Sequence, residues 1–143
     1  MTSKLKVLQF ICPTGFYGAE RWVLALAKHL DPSTVSCDLA VTMEPGQKPL
    51  ELVSEYKKLN LGIHIIEMKN KFDLGAVARL AKLIREQNID IIHTHGYKSD
   101  IIGVLAARRA KIKCIVTPHG FENAKDFKLR SFIWLGCNLC VMS

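Results

Sequence analysis

Residues 89–110 form the stretch IDIIHTHGYKSDIIGVLAARRA, which passes from an apolar run through a polar turn into a helical pattern. Residues 89–93 have the length of a strand, and several of the apolar runs in this chain lack polar alternation, which predicts strands buried on both faces. Residues 99–110 predict a helix. A buried strand followed directly by a helix is the repeating unit of a parallel sheet.

The same alternation runs through the rest of the chain. Apolar runs of strand length lie at residues 7–12, 35–43, 63–68, 89–93, 114–117 and 139–142. Between them, apolar side chains at helical spacing occur in two series, Val23, Leu26, Ala27, Leu30 and Val77, Leu80, Ala81, Ile84, and further helices are predicted at 49–59, 99–110 and 124–135. This order predicts an α/β fold: an open doubly wound, Rossmann-like parallel sheet with helices on both faces.

Composition predicts one folded domain over residues 1–143, since 49% of the residues are hydrophobic and 23% are charged. The net charge is +7, and +5 of it falls in residues 98–143. An anionic partner is therefore expected there, if anywhere; the alternative is an ordinary solvated surface. The charge does not accompany the aromatic and basic motif of a nucleic-acid module, so no nucleic-acid partner is expected.

Neither a membrane span nor a secretory signal is predicted, and the expected location is the cytoplasm. The longest apolar stretch, residues 132–142, is interrupted by Gly136 and Asn138 and falls short of a spanning helix. The five cysteines are an odd number scattered through apolar runs, which is typical of reduced thiols. Cys137 and Cys140 have CxxC spacing, but their place at the last strand favours structural thiols over a redox motif.

The loop after the first strand contains Gly15 and Gly18 and leads into a helix. The free N–H groups of a helix start suit an anion or a sugar hydroxyl. The spacing is GxxG rather than the GxGxxG of a dinucleotide site, and Glu20 in the first helical turn would repel a phosphate. The alternative is a tight turn in which the glycines supply positive φ angles.

Three histidines follow two other strands. His93 and His95 have the two-residue period of a strand, so they should share a face, with His93 deeper and His95 nearer the strand end. His119, followed by Gly120, comes directly after the fifth strand. No further ligand at convincing spacing completes a zinc site, and Ser99 or Asp100 is expected to cap the following helix.

With those loops placed, the sequence resembles the N-terminal half of a GT-B fold, family 4 glycosyltransferase. Three segments carry the resemblance: residues 15–21 (GFYGAER), residues 90–100 (DIIHTHGYKSD) and residues 116–120 (VTPHG), in this order and spacing. The final LCVMS at residues 139–143 is similar to the strand that precedes the interdomain crossover in that family.

The resemblance implies a retaining enzyme that uses a nucleotide-sugar donor. This half would bind the acceptor, and the donor-binding C-terminal domain is expected to be absent from this chain, which would be inactive alone. The nucleotide-sugar is a substrate, and neither a metal nor another cofactor is expected.

Site residues follow from the same resemblance. His119 matches the histidine that contacts the transferred sugar and is the expected catalytic residue, with Gly120 beside it. The loop containing Gly15, Phe16, Tyr17 and Gly18 would face the cleft between the halves, although Tyr17 replaces the first glycine of the family's pair. His95 matches a cleft position near the acceptor, and Lys98 is a candidate for an anionic acceptor group.

Partners follow as well. The acceptor is expected to be a glycan or a lipid-linked glycan, as in lipopolysaccharide or exopolysaccharide synthesis, with self-association of the chain where a partner half should pack. Peripheral contact with the inner face of the cell membrane is expected if the basic and aromatic side chains near residue 130 are exposed; otherwise they form a core and its solvated edge. Those side chains are Lys125, Phe127, Lys128, Arg130, Phe132 and Trp134. Two alternatives remain: a stand-alone glycan- or partner-binding subunit, or a nucleotide-binding Rossmann-like domain with Glu44 on the ribose.

Overall fold

A computed structural model describes residues 3–117, His119 and the backbone of residues 140–142. Parallel strands and helices alternate along the chain. The strands are β1 (Leu5–Ile11), β2 (Val35–Met43), β3 (Ile63–Glu67), β4 (Ile91–His95), β5 (Lys113–Thr117) and β6 (Cys140–Met142). The helices described are α1 (Gly18–His29), α2 (Glu51–Lys57), α3 (Gly75–Glu86) and α4 (Tyr97–Ala110).

The strands form one parallel sheet in the order β3-β2-β1-β4-β5-β6. The chain runs outward from β1 to β3, returns to the other side of β1, and then runs outward again. The crossover that reverses direction joins β3 to β4 through α3 and places β4 beside β1, with Gln9 paired to His93 in register. In such sheets, ligands bind at the carboxyl ends of the strands near this reversal.

Each face of the sheet has its own core. Leu8, Phe10 and Ile92 are fully buried and belong to the cluster that α3 and α4 complete. Leu39 and Val41 belong to the opposite cluster, which α1 and α2 complete. Burial on both faces explains why the central strands carry continuous apolar runs.

Helix α4 packs very closely against β4. A Cβ atom added to Gly103 would overlap the methyl group of Thr94, whose side chain is fully buried. The Thr94 hydroxyl donates to Asp100 Oδ1 at 2.8 Å, which ties the first turn of the helix to the strand. Gly103 therefore sets the distance between the helix and the sheet.

The predicted fold class is confirmed, and most element positions agree within a few residues. The fourth strand lies at Ile91–His95, two residues later than predicted, and α4 starts at Tyr97 rather than Ser99. Gly96, at φ 91°, precedes the helix, so neither Ser99 nor Asp100 occupies the cap position expected for it. The predicted helix at 124–135 and most of the CxxC segment lie outside the described residues.

None of the four described helices has both the length and the apolar character that crossing a bilayer requires. The longest, α4, has 14 residues and carries charged side chains at both ends. The basic and aromatic residues considered for membrane contact, numbers 125–134, are outside the described residues.

Candidate functional site

A groove of about 370 Å³ opens at the carboxyl ends of β1, β2 and β3. It is formed by loops that follow three different strands and by the start of α4. Its lining combines apolar and polar surface and includes Pro13, Thr14, Glu44, Gln47, Lys71 and Lys98. A concave surface with a few convergent polar groups is the usual form of a ligand site.

Hydrogen bonds hold these loops to one another. The backbone N–H of Cys12 donates to Ser99 Oγ at 2.8 Å, and Gln47 Nε2 donates to the carbonyl oxygen of Pro13 at 3.2 Å. Lys98 Nζ lies 2.9 Å from Glu44 Oε1, and both side chains are about one-third exposed. The groove is thus braced before any ligand arrives, and Lys98 is paired with a carboxylate.

The glycine loop leads directly into α1. Tyr17 occupies the position before the helix and is 68% exposed, while its backbone N–H donates to the buried Glu20 carboxylate at 3.0 Å. Neither Gly15 nor Gly18 has a positive φ angle, so the alternative explanation of these glycines as positive-φ turn residues is wrong. The guanidinium of Arg21 lies 5.4 Å from the centre of the Phe16 ring.

A second cluster lies where β4 and β5 meet α1. His93 and His95 share a face as predicted, with ring centres 4.2 Å apart, and His95 Nδ1 lies 3.1 Å from His119 Nε2. The indole of Trp22 packs against all three imidazoles, with ring centres 5.3–5.8 Å apart. We call these four residues the histidine cluster.

Burial keeps the inner histidines uncharged at neutral pH. Burial, with the neighbouring histidines as a smaller cause, lowers the pKa of His93 to about 4 and the pKa of His95 to about 2. His95 Nε2 contacts Oε1 of Gln9, and His93 Nε2 lies 2.6 Å from Thr117 Oγ1. Each of these two imidazoles therefore has a polar partner inside the protein.

The structure brings together some of the predicted site residues. His95 and His119 are in direct contact, Lys98 lines the groove, and Gly120 lies outside the described residues. The expectation that His93 lies deeper is wrong, because His95 is 1% exposed and His93 is 7% exposed. β4 ends at His95, so its side chain is still covered by α1 and β1.

The sequence did not predict that Gln9 and Trp22 belong to the site. A glutamine within the apolar run of β1 was the available signal, because a polar side chain in a strand buried on both faces needs an internal partner. Trp22 stands one residue before the apolar series of α1 and gave no comparable signal.

Cys12 and Cys37 are unpaired thiols. Burial raises the pKa of Cys12 and of Cys37, so neither is an activated thiolate. Within residues 3–117 and His119, no group of three or more His, Cys, Asp or Glu side chains is arranged to hold a metal ion.

The sequence profile of glycosyltransferase family 4 matches residues 16–140, which include Phe16, Tyr17 and Gly18 of the glycine loop, the groove lining from Thr42 to Lys98 and the histidine cluster. The chain belongs to glycosyltransferase family 4. This is a retaining family with the GT-B fold. A 50-residue segment of this family 4 domain is 44% identical to the UDP-Gal:alpha-D-GlcNAc-diphosphoundecaprenol alpha-1,3-galactosyltransferase of Escherichia coli, covering 34% of this chain and 13% of that enzyme.

Solved glycosyltransferases share the fold. The glycosyltransferase from Rickettsia africae ESF-5 is 26% identical, with a TM-score of 0.66 over 99% of this chain and 37% of its own. The lipopolysaccharide outer core galactosyltransferase WaaB in its apo form is 14% identical, with a TM-score of 0.63 over 80% of this chain and 33% of its own. The family 4 domain thus spans about a third of these two structures.

Proposed function

We propose that this family 4 domain is the acceptor-binding half of a retaining glycosyltransferase. The enzyme would transfer a sugar from a nucleotide-sugar donor to a glycan or lipid-linked acceptor. In this proposal, the donor is held mainly by a second, C-terminal domain, so that transfer requires both halves and this chain alone is inactive.

The direct contact between His95 and His119 carries the proposal. These are the two histidines that the family resemblance assigns to the cleft. His95 ends β4, and His119 lies two residues after the neighbouring strand β5. Their contact at the carboxyl edge, next to the reversal of strand order, favours a shared role in a ligand site. His119 would contact the transferred sugar, and Gly15–Gly18 would face the cleft beside it.

The acceptor is proposed to enter the groove that contains Lys98. The galactosyltransferase of Escherichia coli acts on a sugar linked through a diphosphate to undecaprenol. A diphosphate on the acceptor would compete with Glu44 for the Lys98 ammonium, which is only 2.9 Å from that carboxylate. Such an exchange would let the same lysine recognise an anionic acceptor without leaving an unpaired charge in its absence.

Binding to the isotope-labelled chain tests this assignment. The probe is a water-soluble N-acetylglucosamine diphosphate with a short alkyl chain. Its binding is followed in amide proton–nitrogen spectra of the chain. Saturable shifts are expected at residues around the groove, such as Thr14, Gln47 and Lys98. No saturable shift, or shifts confined to the amino ends of the strands, would contradict the proposal.

A matched pair of lysine variants sharpens the test. Lys98→Met should weaken binding about tenfold, the effect of losing one charge-assisted contact of about 1.4 kcal/mol. Lys82→Met is the control, because Lys82 also pairs with a glutamate, Glu86, but lies on α3 away from the groove. Equal weakening by both variants would mean that net charge, rather than the groove, determines affinity.

Transfer itself is tested by joining this chain to a family 4 donor-binding domain. Release of the nucleoside diphosphate that depends on both the acceptor and the joined domain is expected, and His119→Ala should abolish it. Acceptor binding without transfer in any such pairing would instead favour a stand-alone glycan-binding subunit.

A further inference from the structure

Gln9 is a fully buried amide at the centre of β1, between the apolar side chains of Leu8 and Phe10. Those neighbours point to the α3 and α4 side of the sheet. Gln9 points to the other side, where the histidine cluster lies. A buried polar group without a hydrogen bond costs about 1–3 kcal/mol. Gln9 Oε1 has a partner and Gln9 Nε2 has none among the described residues, so the contact of Oε1 has to explain the position of this side chain.

Hydrogen bonds link Gln9 to the histidine of the proposed sugar site. Gln9 Oε1 contacts His95 Nε2, and the other ring nitrogen of His95, Nδ1, lies 3.1 Å from His119 Nε2. The three side chains come from β1, β4 and the residue two positions after β5. Trp22 packs against both imidazoles from α1 and limits rotation of the rings.

The direction of these hydrogen bonds follows from the chemistry of the groups. A neutral imidazole carries one N–H and one bare nitrogen, and His95 is neutral because its pKa lies far below 7. The carbonyl oxygen of Gln9 can only accept, so the proton of His95 is on Nε2. Nδ1 of His95 is then bare and accepts, and the proton between the two histidines belongs to Nε2 of His119.

We propose that Gln9 is a positioning residue that acts through His95 to hold the ring of His119 in one orientation, with its Nε2–H turned toward the protein. Gln9 reaches neither the groove nor the sugar site and exerts its effect by fixing which nitrogen of each histidine is protonated. The importance of this orientation for sugar transfer rests on the proposed function, whereas the hydrogen-bond order itself does not.

The wild-type chain tests directly which ring nitrogens of His95 and His119 carry a proton. Long-range proton–nitrogen spectra distinguish a protonated ring nitrogen from a bare one. At neutral pH, His95 should show a protonated Nε2 and a bare Nδ1, and His119 should show a protonated Nε2. The reverse pattern, with the His95 proton on Nδ1, would mean that the amide of Gln9 is turned over and would overturn the proposal without any variant.

Two substitutions at Gln9 then test its control over His119. Gln9→Met keeps the length of the side chain but removes the acceptor. We expect that His95 and His119 then no longer each show one ring nitrogen protonated and the other bare, but a mixture of the two protonation patterns. Gln9→Glu keeps an acceptor oxygen and should restore the pattern at His119. His29, whose Nδ1 lies 2.7 Å from the carbonyl oxygen of Ala25 on α1, is an internal reference that should not change in either variant.

An unchanged pattern in a folded Gln9→Met chain would refute the control by Gln9. In the complete enzyme, Gln9→Met should lower kcat about tenfold and leave the KM for the acceptor within about twofold, as expected for a group that acts on the reacting centre rather than on binding. An equal rise in KM would overturn the positioning role. Failure of acceptor binding by the wild-type chain would refute the proposed function while leaving the ring-nitrogen pattern intact.

Discussion

The buried imidazoles of His93 and His95 make the stability of this domain dependent on pH. Their folded-state pKa values, about 4 and about 2, lie below the value of about 6.5 expected for an unfolded chain. Below pH 6.5 or so, the unfolded chain therefore takes up protons that the folded chain does not. The free energy of unfolding should be constant from about pH 6.5 to about pH 8 and fall below pH 6.5 by up to about 1.4 kcal/mol per pH unit for each histidine.

Urea denaturation between about pH 7.5 and about pH 5.5 measures this loss. Asp31, Glu55 and Asp73 have lowered pKa values, so their contributions are lost only in more acidic solution and do not interfere. His93→Gln should reduce the slope relative to the wild type. A flat profile in the wild-type chain would show that the two histidines are charged, or accessible, when folded.

Tyr56 illustrates a buried hydroxyl with a structural rather than a functional role. Its side chain is fully buried on α2, and Oη donates to the carbonyl oxygen of Cys37 in β2 at 2.7 Å. Tyr56→Phe should lower the free energy of unfolding by about 1–3 kcal/mol, because a buried acceptor loses its donor. Tyr97→Phe, at a half-exposed ring, should change stability by less than about 0.5 kcal/mol in the same urea experiment. Similar losses in both variants would contradict this account.

At the scale of single residues, the sequence identified side chains at strand ends better than those inside strands. His95 and His119 were predicted from their position after apolar runs, and the structure places them in contact. Gln9 was missed because its partner belongs to β4, more than 80 residues later in the chain. Which strands become neighbours is decided by the fold as a whole and not by the local pattern.

The contact between α4 and β4 depends on one glycine. A methyl group at position 103 would overlap Thr94, so Gly103→Ala should destabilise the domain by about 1–3 kcal/mol although alanine favours helices. Gly18 begins α1 with open space around its Cα, and Gly18→Ala should be neutral or slightly stabilising. Thermal or urea unfolding of the two variants provides the comparison. A Gly103→Ala chain as stable as the wild type would show that α4 can shift away from the sheet at little cost.

Element boundaries were predicted less well than element types. The apolar run beginning at Ile89 suggested a strand from that residue, but the ladder with β1 begins at Ile91. Asp90 accounts for part of the shift, because its carboxylate accepts the backbone N–H of Lys6 and its own N–H donates to the carbonyl oxygen of Lys6. The hydrogen-bond partners of a strand end lie on another element, and periodicity carries no information about them.

Hydrogen bonds brace the loop between β3 and α3, although its apolar side chains face solvent. The Asp73 carboxylate accepts the backbone N–H groups of Lys69 and Gly75, each at 2.9 Å, and pairs with Arg79 at 3.0 Å. Phe72 and Leu74 are nevertheless 89% and 77% exposed. Such bracing is expected where a loop presents apolar groups to a partner rather than folding them into a core.

Across the whole molecule, the alternation of strands and helices predicted the doubly wound sheet, and the fold is confirmed. The sequence did not predict that large apolar side chains would gather at one edge. Tyr17, Phe72, Leu74 and Tyr97 follow three different strands, yet parallel strands place all of their following loops on the carboxyl edge. The same edge carries Lys71 and Lys98. Aromatic, aliphatic and basic groups together are typical of surfaces that contact an anionic bilayer.

We therefore expect the chain to bind anionic lipid vesicles through the loop of Phe72 and Leu74, in keeping with the proposed lipid-linked acceptor. Co-sedimentation should show binding to vesicles containing phosphatidylglycerol and much less to pure phosphatidylcholine. Replacing Phe72 or Leu74 by serine should weaken binding by about 1–3 kcal/mol, roughly tenfold or more, since each side chain would otherwise be buried in the interface. Leu105→Ser, at an exposed leucine of α4, is the matched control and should bind as the wild type does. Equal binding to both vesicle types, or no effect of the loop substitutions, would exclude this surface, and a shift to dimers without vesicles would mean that a second copy covers it instead.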